Sequence, residues 1–270
     1  MTDPLAPLLE LDGVAEAVKA VQDAVFAVHR HPANLRGGSA TAAEASVRAA
    51  RASAAIDGAD PEIPADAAVK DPVLAGALRV AEALESLLPT WRRAPAQALA
   101  RIHVLAAADL VSNAAAAAGG AELSGRQSQA ADVRPLSGAG SGLDLLGRPR
   151  PGTGARLNLL AQLITGATSV PGPLQAAVVH GELLSLRPFG TADGVVARAA
   201  ARLTMVATGT DPKSLTVPEV ACFRRVVQYN EAAAAFATGE PGGVRTWLLF
   251  CCDAMEKGAR EARGIAEAAS

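Results

Sequence analysis

Cysteine, aromatic side chains, net charge and long uncharged apolar runs are all scarce in this sequence. The three cysteines are Cys222, Cys251 and Cys252. An odd number with an adjacent pair is a poor disulfide framework. Aromatic residues make up only 3% of the chain although half of it is apolar, so the apolar excess is alanine. The formal net charge is −2, which gives no broad attraction to nucleic acid or to an anionic membrane. No stretch of about 18 or more apolar residues is free of charges. The richest candidate, "VLAAADLVSNAAAAAGGAEL", is broken by Asp109, Asn113 and paired glycines. The opening "MTDPLAPLLELDG" carries acids and no basic stretch ahead of an apolar one, unlike a signal peptide. The expectation is a reducing, cytoplasmic compartment, with neither membrane nor nucleic acid as partner.

What the sequence does contain is helical periodicity. Val14, Val18, Val21, Val25 and Val28 form one stripe. Thr41 to Ala55 reads as a helix opened by a Thr cap and closed at Asp57-Gly58. Asp71 followed by Pro72 is a cap and a first-position proline. Further helices are expected over 96–118, 157–164, 173–186, 191–208, 217–237 and 243–268. No strand run longer than about four residues is bounded by turn signals. The fold class is therefore all-α, a helical bundle with an N-terminal helical extension. The expected division is residues 1–90 for the extension and 91–270 for the core. Two connections stand out, Asp57 to Pro72 and the longer Ser124 to Ala155, which carries Arg134, Arg148 and Arg150.

Several local patterns lead nowhere. "GAGSG" at 138–142 has no preceding strand and no Gly-Lys-Ser/Thr ending, and reads as a linker. "HGE" at 180–182 matches the start of a zinc deaminase signature, but no Pro-Cys-x-x-Cys follows. The four histidines, His29, His31, His103 and His180, lack the spacing of a metal site, so no metal ligands are assigned. Ser128, Ser137 and Ser141 have no partnered His in a local signature. Cys251 and Cys252 lie in a helix-spaced apolar run and read as core.

The informative stretch is "LRPFGTADGVVARAAARL", a small-residue loop opening directly into a helix. It resembles the signature of the Fic (Fido) domain family, His-Pro-Phe-x-Asp/Glu-Gly-Asn-Gly-Arg-x-x-Arg. Aligned without a gap from Arg187 to Arg198, Pro188, Phe189, Gly194 and Arg198 coincide. His180 stands where the family often has a His in the preceding helix. "LARIHVLAA" and the later "LLGRPR" are similar to the family's early Leu-His helix and its Gly-x-x-Arg flap entry. Tyr229, Trp247 and Phe250 take the places of its aromatic tail. The resemblance spans Trp91 to Ala268. Upstream, Ser53, Asp57 and Gly58 match the family's inhibitory helix, Ser/Thr-x-x-x-Glu-Gly/Asn, with Asp for Glu, over about 41–58.

The resemblance implies a nucleotide pocket, and the substitutions alter its chemistry. The family's His is a general base that must be neutral part of the time near pH 7. Arg187 stands there and its guanidinium stays protonated, so it can bind a phosphate but cannot be that base. Thr191 replaces the magnesium-binding acid, which leaves magnesium without its carboxylate. Asp193 replaces an Asn, and Val195 removes one phosphate-clamping Arg. For Thr191, helix capping and phosphate binding are both open; for Asp193, capping is favoured. Gly194 keeps close backbone approach to a helix start with free N–H groups. Arg198 is the family's second Arg, and an Asp57–Arg198 ion pair closing the pocket is expected.

Three functions follow from this reading. One is a degenerate Fic-like protein, not an ordinary AMP transferase, that binds a nucleotide, another anion or a protein partner in a regulatory or scaffold role. The alternative is a nucleotidyl- or phosphoryl-type transferase with a different base. The third is an unrelated all-α structural protein. A His or carboxylate other than Asp193 lining the pocket beside Arg187 separates the first two.

Overall fold

The computed structural model describes residues 3–36, 38–63, 68–121 and 146–270. Among them there is no strand. The helices are α1 (Val14–His29), α2 (Pro32–Leu35), α3 (Ser39–Ile56), α4 (Pro72–Arg93), α5 (Pro95–Ala121) and α6 (Gly154–Gln162). They continue with α7 (Gly172–Leu186), α8 (Asp193–Ala207), α9 (Pro218–Arg224), α10 (Val226–Ala237) and α11 (Pro241–Ala268). A 3₁₀ turn, Ala6–Glu10, precedes α1, and a π turn, Leu163–Ala167, follows α6. The glycine-rich stretch 138–142, with Ser128, Ser137, Ser141 and most of the Ser124–Ala155 connection, lies outside the described residues. So do residues 64–67 of the Asp57–Pro72 connection.

Local chemistry explains most of the helix ends. The Asp71 carboxylate accepts the N–H of Val73 (2.9 Å) and Leu74 (3.0 Å), and Pro72 follows it, so α4 starts where its cap dictates. Two expectations fail. The cap of α3 is Gly38, at φ 71°, and not Thr41. Thr41 lies inside the first turn, and its hydroxyl donates to Asn34 Oδ1 (2.7 Å), which ties α3 to α2. The single helix expected over 217–237 is two, broken at Arg225 (φ −128°, ψ 41°). No Gly or Pro marks that break. Tertiary contact makes it: the Arg225 guanidinium reaches Asp253 (2.6 Å) and lies over the Phe250 ring, 4.8 Å from its centre, both on α11.

The valine stripe of α1 is fully buried, mainly against α11. Each such valine contributes about 1.5–3 kcal/mol of burial relative to exposure. Alanine and glycine permit close helix approach elsewhere. A Cβ at Gly76 on α4 would fall onto the carbonyl oxygen of Ala106 on α5, so that crossing requires glycine. Two large clusters form most of the interior, with a small third one at Ala45, Ala49, Val217 and Ile265. One gathers α1, α7, α10 and α11 around Trp247; the other gathers α3, α4, α5 and α8 around Trp91. Residues 172–181 of α7 and 195–205 of α8 are buried throughout, so these two packed helices form the centre of the bundle. The loop from Arg187 to Ala192 joins them, and both its ends are therefore held rigidly. No helix among the described residues is long and apolar enough to cross a membrane.

Candidate functional site

The loop is built by two left-handed residues and one returning carboxylate. Arg187 ends α7 at φ 43°, ψ 59°, its N–H donating to the Leu183 carbonyl (2.9 Å). Ala192 caps α8 at φ 51° with no side-chain hydrogen bond. Neither Thr191 nor Asp193 caps the helix. Asp193 is its first residue, and its carboxylate turns back to accept the N–H of Phe189 (2.9 Å) and Gly190 (2.8 Å). The capping role favoured for Asp193 is thus replaced by a loop-closing one, its two oxygens taking the two loop N–H groups. Burial raises the Asp193 pKa, opposed by these two hydrogen bonds and by the charges of Arg187 and Arg150.

The inner end of the site is sealed. Arg198, on the second turn of α8, has a side chain only 3% exposed. Its Nε donates to Ser53 Oγ (2.8 Å), and Nη2 donates to the Ser53 carbonyl (2.9 Å) and to Asp57 Oδ2 (2.7 Å). Nη1 donates to Tyr229 Oη (3.3 Å), and that hydroxyl is hydrogen-bonded to His180 Nε2 (2.9 Å). Ser53, Asp57 and Arg198 therefore meet, and the expected ion pair is present. Gly58, at φ 89°, follows the last turn of α3, so the C-terminal end of that helix delivers Asp57. A Cβ on Gly194 would lie 2.5–2.6 Å from both Asp57 carboxylate oxygens, so glycine is needed there to admit the carboxylate. Behind Arg198 a small internal cavity of about 40 Å³ is lined by His180, Arg202, Glu219 and Cys222. Burial and the nearby Arg198 charge push the His180 ring down to about 3, so it is neutral at pH 7.

The outer rim is open. Thr191 is exposed, and Gly147 N–H donates to His103 Nδ1 (2.9 Å). That fixes the His103 hydrogen on Nε2, which donates to Thr191 Oγ1 (3.0 Å). The His103 ring stacks on Phe189 at 4.3 Å, and burial lowers its pKa to about 4. Arg150 N–H donates to the Pro188 carbonyl (2.6 Å), which pins the 146–151 segment along the loop. The side chains of Arg150 and Arg187 are exposed, with no hydrogen bond or ion pair among the described residues.

Asp57, Arg187, Thr191, Asp193, Arg198 and Asn230 line a cleft of about 490 Å³, with Arg150 at its edge against Gly190. That size suits a small ligand. Asp57 is a carboxylate other than Asp193 in the same lining as Arg187, the feature that bears on a transferase with a different base, and it is paired with Arg198. The donor set does not fit a magnesium ion. Thr191 is neutral and accepts from His103, Asp193 is turned to two backbone N–H groups, and Asp57 is paired with Arg198. Sequence reasoning missed three site residues. His103 and Arg150 carry no assigned role in the segments that contain them, and Asn230 is not singled out. The signal was there in part: "LARIHVLAA" and "LLGRPR" carry His103 and Arg150.

No protein-family model matches the sequence, and no curated protein matches it. The fold is similar to that of a Fic family protein from Desulfovibrio desulfuricans G20, with a TM-score of 0.66. The match covers 94% of this chain and 74% of that one, at 16% sequence identity. The fold is therefore Fic-like.

Proposed function

We propose that this chain is a regulatory or scaffold protein that binds an anionic ligand, a nucleotide first among them, in the cleft beside the 187–198 loop. The reading holds further that it is not an ordinary AMP transferase. The observation that carries it is the Asp57 carboxylate, seated over Gly194 and bonded to Arg198. A carboxylate held at a helix start by an arginine stands where a ligand phosphate would gain from the same charge and the same free N–H groups. Arg187 cannot accept a proton, and the His103 ring is buried beneath Thr191 with both nitrogens engaged. The nearest imidazole therefore cannot serve as a general base at the cleft. A ligand entering the inner end must displace Asp57, which makes binding and the position of α3 mutually dependent. That dependence is what a regulatory protein would use toward a partner.

The second reading, a transferase with a different base, draws on Asp57 itself, since its Oδ1 carries no hydrogen bond among the described residues. One set of measurements tests both. Thermal stability is followed with ATP, ADP and AMP, with and without Mg²⁺, for the wild type, Asp57→Gly and Arg198→Gln. A ligand at about 100 times its Kd stabilises by about 2.7 kcal/mol. The expected result is a shift that grows in Asp57→Gly and disappears in Arg198→Gln, with no transfer of label from α-labelled ATP. Labelled product that disappears with Asp57 would establish the transferase reading instead. No shift for any nucleotide in any variant would reject the pocket.

A further inference from the structure

The charged residues lining the cleft balance, two arginines against two aspartates, and Arg150, lying against Gly190 at its edge, adds a further positive charge. Asp57 is matched by Arg198, and Asp193 accepts two backbone N–H groups. Arg187 and Arg150 remain at the rim. They come from different parts of the chain but converge on the same turn. Arg187 is three residues before Gly190, and the Arg150 side chain runs across Gly190. A Cβ built there would lie 3.3 Å from Arg150 Cδ and 3.8 Å from both Nε and Nη1. Both guanidinia act on Asp193 through space, which places them on one local field. Arg150 is not free to drift away, because its backbone N–H is bonded to Pro188 and the same segment is bonded at Gly147 to His103. The exposed Thr191 hydroxyl faces the same cleft.

We infer that Arg150 and Arg187 form a two-arginine clamp at the rim for a phosphate dianion, separate from the Arg198 end of the cleft. This deepens the proposed reading by naming the ligand group, but it does not depend on Arg198. Guanidinium forks match phosphate oxygens in pairs, and two of them at one turn favour a tetrahedral dianion over a single carboxylate. Thr191 adds a donor, since its oxygen already accepts from His103 and its hydrogen is available. The phosphate can be free orthophosphate or the end group of a phosphomonoester.

The test titrates full-length protein with orthophosphate, O-phosphoserine and AMP, reading loop amide and arginine side-chain resonances by NMR. Sulfate at matched ionic strength serves as the comparison. The clamp predicts saturable binding of all three phosphates at the rim, with mutual competition. Arg150→Ala and Arg187→Ala are each expected to weaken it about tenfold or more, as loss of a charge-assisted hydrogen bond does. Arg150→Lys should recover part of the loss, and Arg148→Ala, on the same segment but not against Gly190, should leave affinity unchanged. Preference for O-phosphoserine or AMP over orthophosphate would assign the site to a monoester; equal affinity would assign it to the free ion. Both exposed substitutions leave the backbone bonds intact, so the variants should fold. No saturable phosphate binding, or binding indifferent to Arg150 and Arg187, would overturn the clamp. Rim binding that persists while nucleotide stabilisation is absent from the Asp57 and Arg198 series rejects the gated pocket alone. The opposite pattern rejects the clamp alone.

Discussion

The two ends of the 187–198 stretch, the loop and the first turns of α8, use arginine in opposite ways. At the inner end Arg198 is 3% exposed and donates to Ser53, Asp57 and Tyr229. At the rim Arg150 and Arg187 are exposed and paired with nothing among the described residues. Similar guanidinia, held against one loop, thus do structural work on one side and present charge on the other. The difference is burial: an interior cation must be matched by its own chain, whereas a rim cation is solvated and can wait for a ligand.

The sharpest way to break that contrast is Arg198→Ala. It leaves the Ser53 carbonyl and Tyr229 without their donor and Asp57, with 27% of its side chain exposed, without its cation. Removing one partner of a buried pair costs about 3–5 kcal/mol. Urea unfolding should show a loss of that size, against a change within about 0.5 kcal/mol for Arg150→Ala. Equal effects would end the distinction between inner and outer arginines.

Acid comes next in size. His180 belongs to the inner end and His103 to the rim, and burial holds both rings neutral when folded, down to about 3 and about 4. Above pH 6.5 they are neutral folded or unfolded. Between 6.5 and about 4 the unfolded chain takes up protons that the folded chain refuses, so stability falls as pH falls. Each ring should contribute up to about 1.4 kcal/mol per pH unit in that window. Denaturant midpoints measured across it for His180→Gln and His103→Gln assign each share. A slope unchanged by either variant would show that the rings are not held neutral.

Gly194→Ala should cost about 1–3 kcal/mol by driving a methyl group into the Asp57 carboxylate. In an Asp57→Gly background the sign should reverse, toward the helix gain of Ala over Gly of up to about 1 kcal/mol. Additive effects in that double-mutant cycle would mean that Asp57 does not sit over Gly194. The smallest effect is expected at Arg187. Its left-handed backbone suits glycine, so Arg187→Gly should stabilise by a net of about 1 kcal/mol while weakening anion binding. A loss of stability there would give Arg187 a structural role and remove it from the rim.

Much of this was legible in the residues. The valine stripe, the Asp71-Pro72 start and the small-residue loop opening a helix each rest on contacts a few positions apart. The Ser53–Asp57–Gly58 pattern pointed to Arg198 only through resemblance. The break at Arg225 and the bend of Asp193 back to Phe189 and Gly190 were not legible. Propensity favours a continuous helix at the first and a cap at the second, and contacts with α11 and with the loop override both.

By itself, then, the sequence determined the helices, their apolar faces and the types of group available at the loop, because periodicity and capping act over one or two turns. Only the tertiary structure decided which arginine was matched and which was left. That outcome depends on Asp57 arriving from α3, Tyr229 from α10, and His103 and Arg150 from either side of the undescribed stretch. Burial and hydrogen-bond satisfaction are set by residues distant in the chain, and no local pattern encodes them.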